Sequence, residues 1–243
     1  MILVVGSPSY ASVVERLDDL RCAHTLDDLN DIKDEVGISI DDISMVMFTG
    51  GEDVCPEFYN GSDPDGISFT NRNRDVNEMA LFTEFVRRGI KLTGICRGFQ
   101  FLNVMCGGEM YQHIFSHAGM RHDVYYPALD ISNEAMSTHH QLVKLPKDAI
   151  PVAWSVPNRS HAYFGPKGVL TEPPEREIES AIFPAFNAFG VQYHPEMMEE
   201  REPGRIMYEE IIAEFYNMDI ADFIQKYGGS KDERRGNQAS TAG

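Results

Sequence analysis

A cysteine between two glycines is the feature of this chain that most directly suggests chemistry. A short apolar run ends in the segment 94–98, which reads Gly-Ile-Cys-Arg-Gly. A G-x-C-x-G pattern at a strand end is the cysteine form of a nucleophile elbow, in which the chain turns sharply from a strand into a helix. The glycines leave room at the turn, and the positive N-terminal end of the helix favours the reactive thiolate. The pattern predicts that Cys96 is a nucleophile.

A histidine and a carboxylate lie about a hundred residues downstream. His194 and Glu196 are two residues apart at the end of the apolar run that starts at Phe189. A Cys, a His and a Glu in this order are a candidate nucleophile, base and orienting group. Either segment alone would fit a structural role, as a buried cysteine at a tight turn or as a plain loop. Together, each after a predicted strand, they favour a catalytic triad.

The elements around these residues predict an α/β fold. Ile2–Val5 and Ile43–Phe48 are short apolar runs, as in buried parallel strands, and a helical stretch near 9–20 and an acidic loop-rich region separate them. Early alternation of strand and helix is typical of a doubly wound, mainly parallel sheet with flanking helices. The second half is rich in strands, predicted near 129–135, 141–145, 151–156, 178–183 and 188–193.

The loops after the strands carry the other candidate residues. The segment 50–73 is rich in Gly, Asp and Asn, and long loops in compact domains are often functional. Asp75 with Glu78 three residues later predicts a capping box at the start of the next helix. Because ligands bind at the carboxyl ends of parallel strands, we expect the glycine pair at 50–51, Cys96 and His194 to share one crevice.

Composition and length limit the function classes. The 243 residues fit one α/β domain, predicted over 1–227, and the polar stretch 228–243 predicts a disordered tail. A net charge of −17 argues against binding to nucleic acid or an anionic membrane. Four cysteines without disulfide or zinc spacing favour a cytoplasmic location. No apolar run reaches the length of a membrane span, and the first strand is too short for a signal-peptide core.

Several segments together resemble the class I glutamine amidotransferase family. Phe48–Tyr59 looks like that family's P-G-G-x-D-V-x-P-x-x-Y loop, and Arg74-Asp75 with 94–104 looks like its R-D…G-I-C-R-G-x-Q-x-L-N-V run. The segments 107–112 and 137–141 also fit. The set is most similar to the γ-glutamyl hydrolase branch, typified by γ-glutamyl-γ-aminobutyrate hydrolase, from about residue 44 to 217.

The chain departs from the pattern of that branch at three places. Thr49 replaces the usual proline before the glycine pair, and Met136 stands where the branch has asparagine. The segment 145–188 matches poorly, which bears on the leaving-group side of the substrate.

The resemblance implies a flavodoxin-like fold and the hydrolysis of γ-glutamyl amides. Cys96 would attack the side-chain carbonyl of a glutamyl group and form a thioester. His194 would hold the thiolate as an ion pair and protonate the departing amine, and Glu196 would orient His194. The oxyanion hole would consist of the Arg97 amide and an amide from Gly50 or Gly51. A plain tight turn is the other reading of the glycine pair.

The same resemblance places three side chains at the glutamyl pocket. Gln100, one helical turn after Cys96, would contact the glutamyl group, against the alternative of a solvent-facing glutamine. His139 and His140 would lie in a loop lining the pocket. The Arg97 guanidinium is either part of the elbow alone or the partner of a nearby acid.

Metal binding is the rival interpretation of the histidines. His113 and His117 have the i, i+4 spacing of a helix, and His122, His139 and His140 are candidates to join them. Five histidines without a Cys ligand or an H-E-x-x-H pattern are weak evidence. We therefore predict that the site uses no metal and no cofactor.

Three functions compete at this stage. The first is a self-sufficient hydrolase of γ-glutamyl amides, favoured by Arg97 and the run 139–141. The second is a glutaminase subunit that delivers ammonia to a separate synthetase, and the third is a binding module that keeps the fold. An intact triad speaks against the third. The predicted partners are a small γ-glutamyl substrate and either a second copy of the chain or a synthetase, with no nucleic acid and no membrane.

Overall fold

The computed structural model describes residues 1–63 and 66–229. Within these residues the strands β1 to β14 are, in chain order, Ile2–Val5, Leu20–Ala23, Met45–Phe48, Lys91–Ile95, Glu109–Tyr111, His113–Ile114, Met120–Tyr126, Ile131–Ser137, Leu142–Lys144, Ile150–Ser155, Tyr163–Phe164, Leu170–Thr171, Ile178–Phe183 and Ala188–Val191. The α-helices α1 to α5 are Leu26–Val36, Arg72–Arg87, Arg97–Met105, Pro203–Asn217 and Ile220–Tyr227. Short 3₁₀ helices occupy Pro8–Val13, Ile40–Asp42, Pro56–Tyr59, Pro184–Phe186 and Pro195–Met197.

A nine-stranded sheet forms the centre of the fold, with the order β2-β1-β3-β4-β14-β13-β10-β7-β8. The strands from β2 to β14 in this order pair in parallel. The strands from β14 to β8 pair antiparallel. This large mixed sheet with flanking helices confirms the predicted α/β fold class. Its parallel centre places the carboxyl ends of β3, β4 and β14 side by side.

Each face of the sheet has its own apolar core, because successive side chains of a strand point to opposite faces. In β3, Val46 and Phe48 belong to a core with α2 and α3, whereas Met45 and Met47 belong to a core with α4 and α5. All four side chains are buried, as expected for a parallel strand covered on both faces.

The first hundred residues differ from the prediction at two elements. The helical stretch near 9–20 is only the 3₁₀ helix Pro8–Val13, and β2 begins at Leu20. The region predicted as loop contains α1, which Thr25 and Asp28 start with a capping box. Leu29 is the buried residue of α1, so this helix has little apolar periodicity to reveal it.

The predicted capping box at Asp75 is wrong. Helix α2 begins four residues earlier, with Asn71 as its N-cap accepting a hydrogen bond from the Arg74 amide at 3.2 Å. Asp75 and Glu78 lie inside the helix, where both bind the Arg97 side chain. These two acidic residues therefore serve a buried ion pair between helices and not the local cap of their own helix. The single domain over 1–227 stays a prediction, and residues 230–243 of the predicted tail lie outside the described residues.

Candidate active site

Cys96 lies at a sharp turn between β4 and α3. Its backbone has φ 52° and ψ −109°, a conformation that costs energy for any residue with a side chain. A Cβ at Gly94 would overlap the backbone of Gly98, and a Cβ at Gly98 would overlap the carbonyl oxygen of Phe48. Glycine is therefore required on both sides of the cysteine. This is the geometry of a nucleophile elbow, with the sulfur at the N-terminus of α3.

His194 follows the neighbouring strand β14. Its Nδ1 is 2.7 Å from Oε1 of Glu196, and its Nε2 is 2.6 Å from the hydroxyl of Thr138. Its backbone amide donates to the carbonyl oxygen of Met136 at 2.8 Å. One ring nitrogen thus binds the predicted orienting carboxylate, which leaves the other at the cysteine side.

The His194 ring carries a proton at neutral pH. Burial lowers the pKa of His194, but the negative charge of the Cys96 sulfur, a hydrogen bond to it and the Glu196 carboxylate outweigh burial and raise this pKa to about 10. A histidine that is held by a carboxylate beside a cysteine is the arrangement that can activate a cysteine nucleophile.

Cys96 and His194 face a cleft of about 490 Å³, and Cys96 itself is 8% exposed. Glu196 does not line this cleft and is linked to it through its hydrogen bond with His194. The cleft walls come from the ends of β3, β4 and β14 and from the loop after β8. Lining residues include Gly51, Arg97, Gln100, Thr138, His139 and His140. The structure therefore gathers the carboxyl ends of the central strands around one crevice, as the sheet topology predicts.

Arg74 fixes the glycine loop after β3. Its guanidinium donates to the carbonyl oxygens of Thr49 at 3.1 Å and Gly50 at 3.0 Å, and to Glu52 at 2.8 Å. In a planar trans peptide the N–H points away from the C=O, so the Gly50 and Gly51 amides point away from Arg74. Gly51 has φ 137°, a backbone conformation open to glycine. Arg74 belongs to the R-D motif of the sequence, which does not by itself indicate this role.

The Arg97 side chain has buried acidic partners. Its guanidinium pairs with Asp75 and Glu78, and the three side chains are 1–2% exposed. This answers the alternative left open by the sequence. The ion pairs join α2 to the first turn of α3 and so fix the position of the elbow. The Arg97 backbone amide lies at the start of α3.

Loss of this buried pairing should destabilise the fold. We expect Asp75→Asn to lower the free energy of unfolding by about 3–5 kcal/mol, because it leaves part of a buried positive charge unpaired. The matched control is Arg87→Gln, which removes an ion pair of a 75% exposed side chain with Glu84 and should cost at most about 0.5 kcal/mol. Urea unfolding of both variants measures the difference, and equal small losses would contradict the assignment.

Gln100 is buried, so the alternative of a solvent-facing glutamine does not hold. Its amide nitrogen donates to Oε1 of Gln192 at 3.2 Å and to the carbonyl oxygen of Gln141 at 3.4 Å. His140 has Nε2 3.0 Å from Asp53 and Nδ1 3.2 Å from His113. The hydrogen bond that His140 donates to the Asp53 carboxylate raises the pKa of His140.

His139 lines the cleft, but both of its ring nitrogens face other protein groups and not the cleft. Its Nδ1 is 2.8 Å from the carbonyl oxygen of Gln141, and its Nε2 faces Glu179 at 3.5 Å. The five histidines of the metal interpretation thus form two groups. His113 and His140 lie together near Asp53, whereas His117, His122 and His139 lie around Glu179. The expected helical spacing of His113 and His117 is wrong, because His113 is in β6, which pairs with β11.

Two residues beside His194 in the cleft were not predicted from the sequence. Thr138 contacts His194 directly, and the family-like segment 137–141 was the signal that could have revealed it. Tyr10, in the first 3₁₀ helix, places its hydroxyl against Gly50 and its ring 6.1 Å from that of His194. Tyr10 is about ninety residues from the elbow in sequence, and no local pattern marks it.

The chain is similar in sequence to several known proteins. The model of the Peptidase C26 family matches residues 21–159. Protein NtpR of Enterococcus hirae is 27% identical over 179 residues, which is 65% of this chain and 69% of that protein. A Mycobacterium tuberculosis protein described as a glutamine amidotransferase is 36% identical over 91 residues, 36% of this chain and 30% of that one.

A solved structure shares the fold. A Thermoplasma acidophilum protein described as one of the GMP synthase subunits superposes with a TM-score of 0.57 at 15% identity, covering 89% of this chain and 92% of that one.

In the described residues, no helix is both long and apolar enough to cross a membrane. The chain spans less than a third of the mycobacterial relative, so whole-protein activities do not transfer directly. The family model covers more than half of the sequence, and the chain therefore belongs to the Peptidase C26 family of class I glutamine amidotransferase-like proteins.

Proposed function

We propose that this protein hydrolyses γ-glutamyl amide bonds through Cys96, His194 and Glu196 and a γ-glutamyl thioester. The observation that carries the proposal is the His194 ring, held by Glu196 and kept protonated beside Cys96 with its pKa raised to about 10. Cys96 and His194 line the cleft formed by the ends of the parallel strands, and Glu196 binds the His194 ring.

The first half of the reaction forms the thioester. The Cys96 thiolate attacks the γ-carbonyl carbon, and the oxygen becomes an oxyanion. The amide of Arg97 and those of Gly50 and Gly51, which point away from Arg74, are the candidate donors to that oxygen. As the C–N bond breaks, His194 gives its Nε2 proton to the departing amine. The Thr138 hydroxyl lies 2.6 Å from Nε2, so Thr138 borders the side of the ring that delivers this proton.

The second half consumes one water molecule. His194, now neutral, takes a proton from water while the water oxygen attacks the thioester carbon. The C–S bond breaks, glutamate leaves, and the thiolate and imidazolium are restored. Gln100 and His140 are our candidates for binding the glutamyl end, because both polar side chains line the same cleft as Cys96.

The alternative is a glutaminase that works with a synthetase partner. The structural neighbour from Thermoplasma acidophilum favours it, since a GMP synthase subunit is by name part of a larger enzyme. Both functions share the chemistry at Cys96, and they differ in the leaving group and in the need for a partner.

We expect the purified chain alone to cleave γ-glutamyl amines, with no partner protein and no metal in the reaction. The triad supplies nucleophile, acid and base, and water is a sufficient acceptor for the thioester. The experiment compares glutamine with a panel of γ-glutamyl amines and peptides, following ammonia and glutamate separately, with Cys96→Ala as the blank. Glutamate release from γ-glutamyl amines supports the hydrolase. Activity on glutamine that appears only after a synthetase is added would move the protein to the subunit class.

A further inference from the structure

Three histidines converge on one carboxylate oxygen away from Cys96. His122 Nε2 is 2.9 Å from Oε1 of Glu179, and His117 Nδ1 and His139 Nε2 are each 3.5 Å from the same atom. All four side chains are buried. The His117 ring is 4.8 Å from that of His122 and 4.6 Å from that of His139, measured between centroids. We call these four residues the His₃Glu cluster.

Outer partners determine which ring nitrogens carry hydrogen. His139 Nδ1 lies 2.8 Å from the carbonyl oxygen of Gln141, which can only accept. His117 Nε2 lies 3.1 Å from Glu177. Glu177 already accepts hydrogen bonds from two hydroxyls and two backbone amides, so it acts as an ionised acceptor. Both outer nitrogens are therefore N–H donors, and in neutral rings both inner nitrogens are lone-pair acceptors.

The centre of the cluster consequently has acceptors and too few hydrogens. His117 Nδ1 and His139 Nε2, which face Glu179 Oε1, are buried without a hydrogen-bond partner among the described residues, as are His122 Nδ1 and Glu179 Oε2. Facing lone pairs repel, and an unpartnered buried polar atom is costly. Protonating the rings would place several positive charges within contact distance in a buried site. One divalent cation between the four inner atoms satisfies them all at once.

The ligand atoms of His117, His122 and Glu179 lie within 4.8 Å of one another, and His139 must move closer to the two other histidines to complete a tetrahedral set. Zinc–nitrogen bonds of about 2.0–2.1 Å place neighbouring ligand atoms about 3.3–3.4 Å apart, and the contacts to Glu179 of 2.9–3.5 Å bracket that value. Glu177 behind His117 and the Gln141 carbonyl behind His139 form the usual outer partners of metal-bound histidines. The two carboxylates of Glu177 and Glu179 carry two negative charges, and the three neutral rings carry none. A divalent cation would therefore neutralise the site.

We infer that the His₃Glu cluster is a closed, four-coordinate site for a zinc-type divalent cation. Four protein ligands leave no open position, so the ion is structural and takes no part in the chemistry of Cys96. It ties β7, β13 and the segment after β6 to the loop that carries Thr138 and His140. The ion would thus stabilise the position of this loop in the wall of the cleft.

The test is metal binding by the full chain without a histidine tag, in the Cys96→Ala background so that the active-site thiol cannot bind the probe. After stripping with a chelator and dialysis against zinc, we expect about one zinc ion per chain by mass spectrometry. Cobalt(II) should give the intense visible absorption of a tetrahedral site. Zinc should also raise the Tm of the stripped protein.

Variants at His122 separate ligation from mere packing. His122→Gln should lower zinc affinity by at least about 10-fold, whereas His122→Cys supplies a thiolate ligand and should retain tight binding. His161→Gln is the control, because His161 stacks on Phe115 outside the cluster. If the stripped Cys96→Ala chain takes up no zinc and its Tm is unchanged, the inference is overturned and the cluster is a protonated hydrogen-bond network. Weak octahedral cobalt absorption would overturn the closed geometry. Neither result bears on the proposed hydrolysis.

Discussion

Replacing Cys96 by alanine is expected to lower the turnover of γ-glutamyl amides by about 10⁴-fold or more, because no other group can form the thioester. The fold should persist, since alanine retains the Cβ that the strained turn already accommodates. Cys96→Ser should be nearly as inactive, because a hydroxyl beside His194 lacks the charge that makes the sulfur nucleophilic. Steady-state kinetics on the best γ-glutamyl substrate and thermal unfolding of each variant give the two readouts.

The other cysteines provide matched controls for this prediction. Burial raises the pKa of the Cys22, Cys55 and Cys106 thiols, so each is mostly protonated at neutral pH. A glutamyl-directed electrophile should therefore label Cys96 first, and Cys22→Ser should keep full activity. Activity that survives in Cys96→Ala, or labelling that starts at the exposed Cys22, would end the assignment.

The central strands of the parallel half were predictable because their signals are local, whereas β2 and α1 were missed. Residues 2–5 and 43–48 are short apolar runs, and strands buried on both faces need nothing else to be recognised. The elbow is also a local pattern, since the glycines on both sides of Cys96 are required by contacts within the turn and with Phe48. His194 and Glu196 follow from the next strand along the sheet.

The antiparallel half was harder because its polar residues are buried. Strand β7, absent from the prediction, contains His122 at a buried position. A buried histidine interrupts the alternation that marks a strand, and its partner Glu179 is 57 residues away. The capping box failed for the same reason, since Asp75 and Glu78 satisfy a local rule but bind Arg97. Thr138 and Tyr10 reach the cleft through tertiary packing, which spacing does not encode.

Replacing His194 by alanine should cost nearly as much turnover as losing Cys96, about 10⁴-fold, because members of a triad act as a unit. His194 both stabilises the thiolate and supplies the proton for the departing amine. His161→Ala is the control for loss of a histidine outside the cleft. If His194→Ala keeps most of its turnover, or falls no further than His161→Ala, another group must protonate the amine.

Glu196→Gln tests the same machinery through the pKa of His194 and should cost less, on the order of 100-fold. The Glu196 carboxylate helps to raise that pKa to about 10, so the imidazolium of the wild type persists until the pH rises through this value. A neutral glutamine removes the favourable charge and lowers the pKa. The alkaline limb of kcat/KM should therefore begin near pH 10 in the wild type and at lower pH in Glu196→Gln. A limb that stays in place would mean that Glu196 orients the ring without tuning its charge, and a limb that moves upward would contradict the assigned electrostatics.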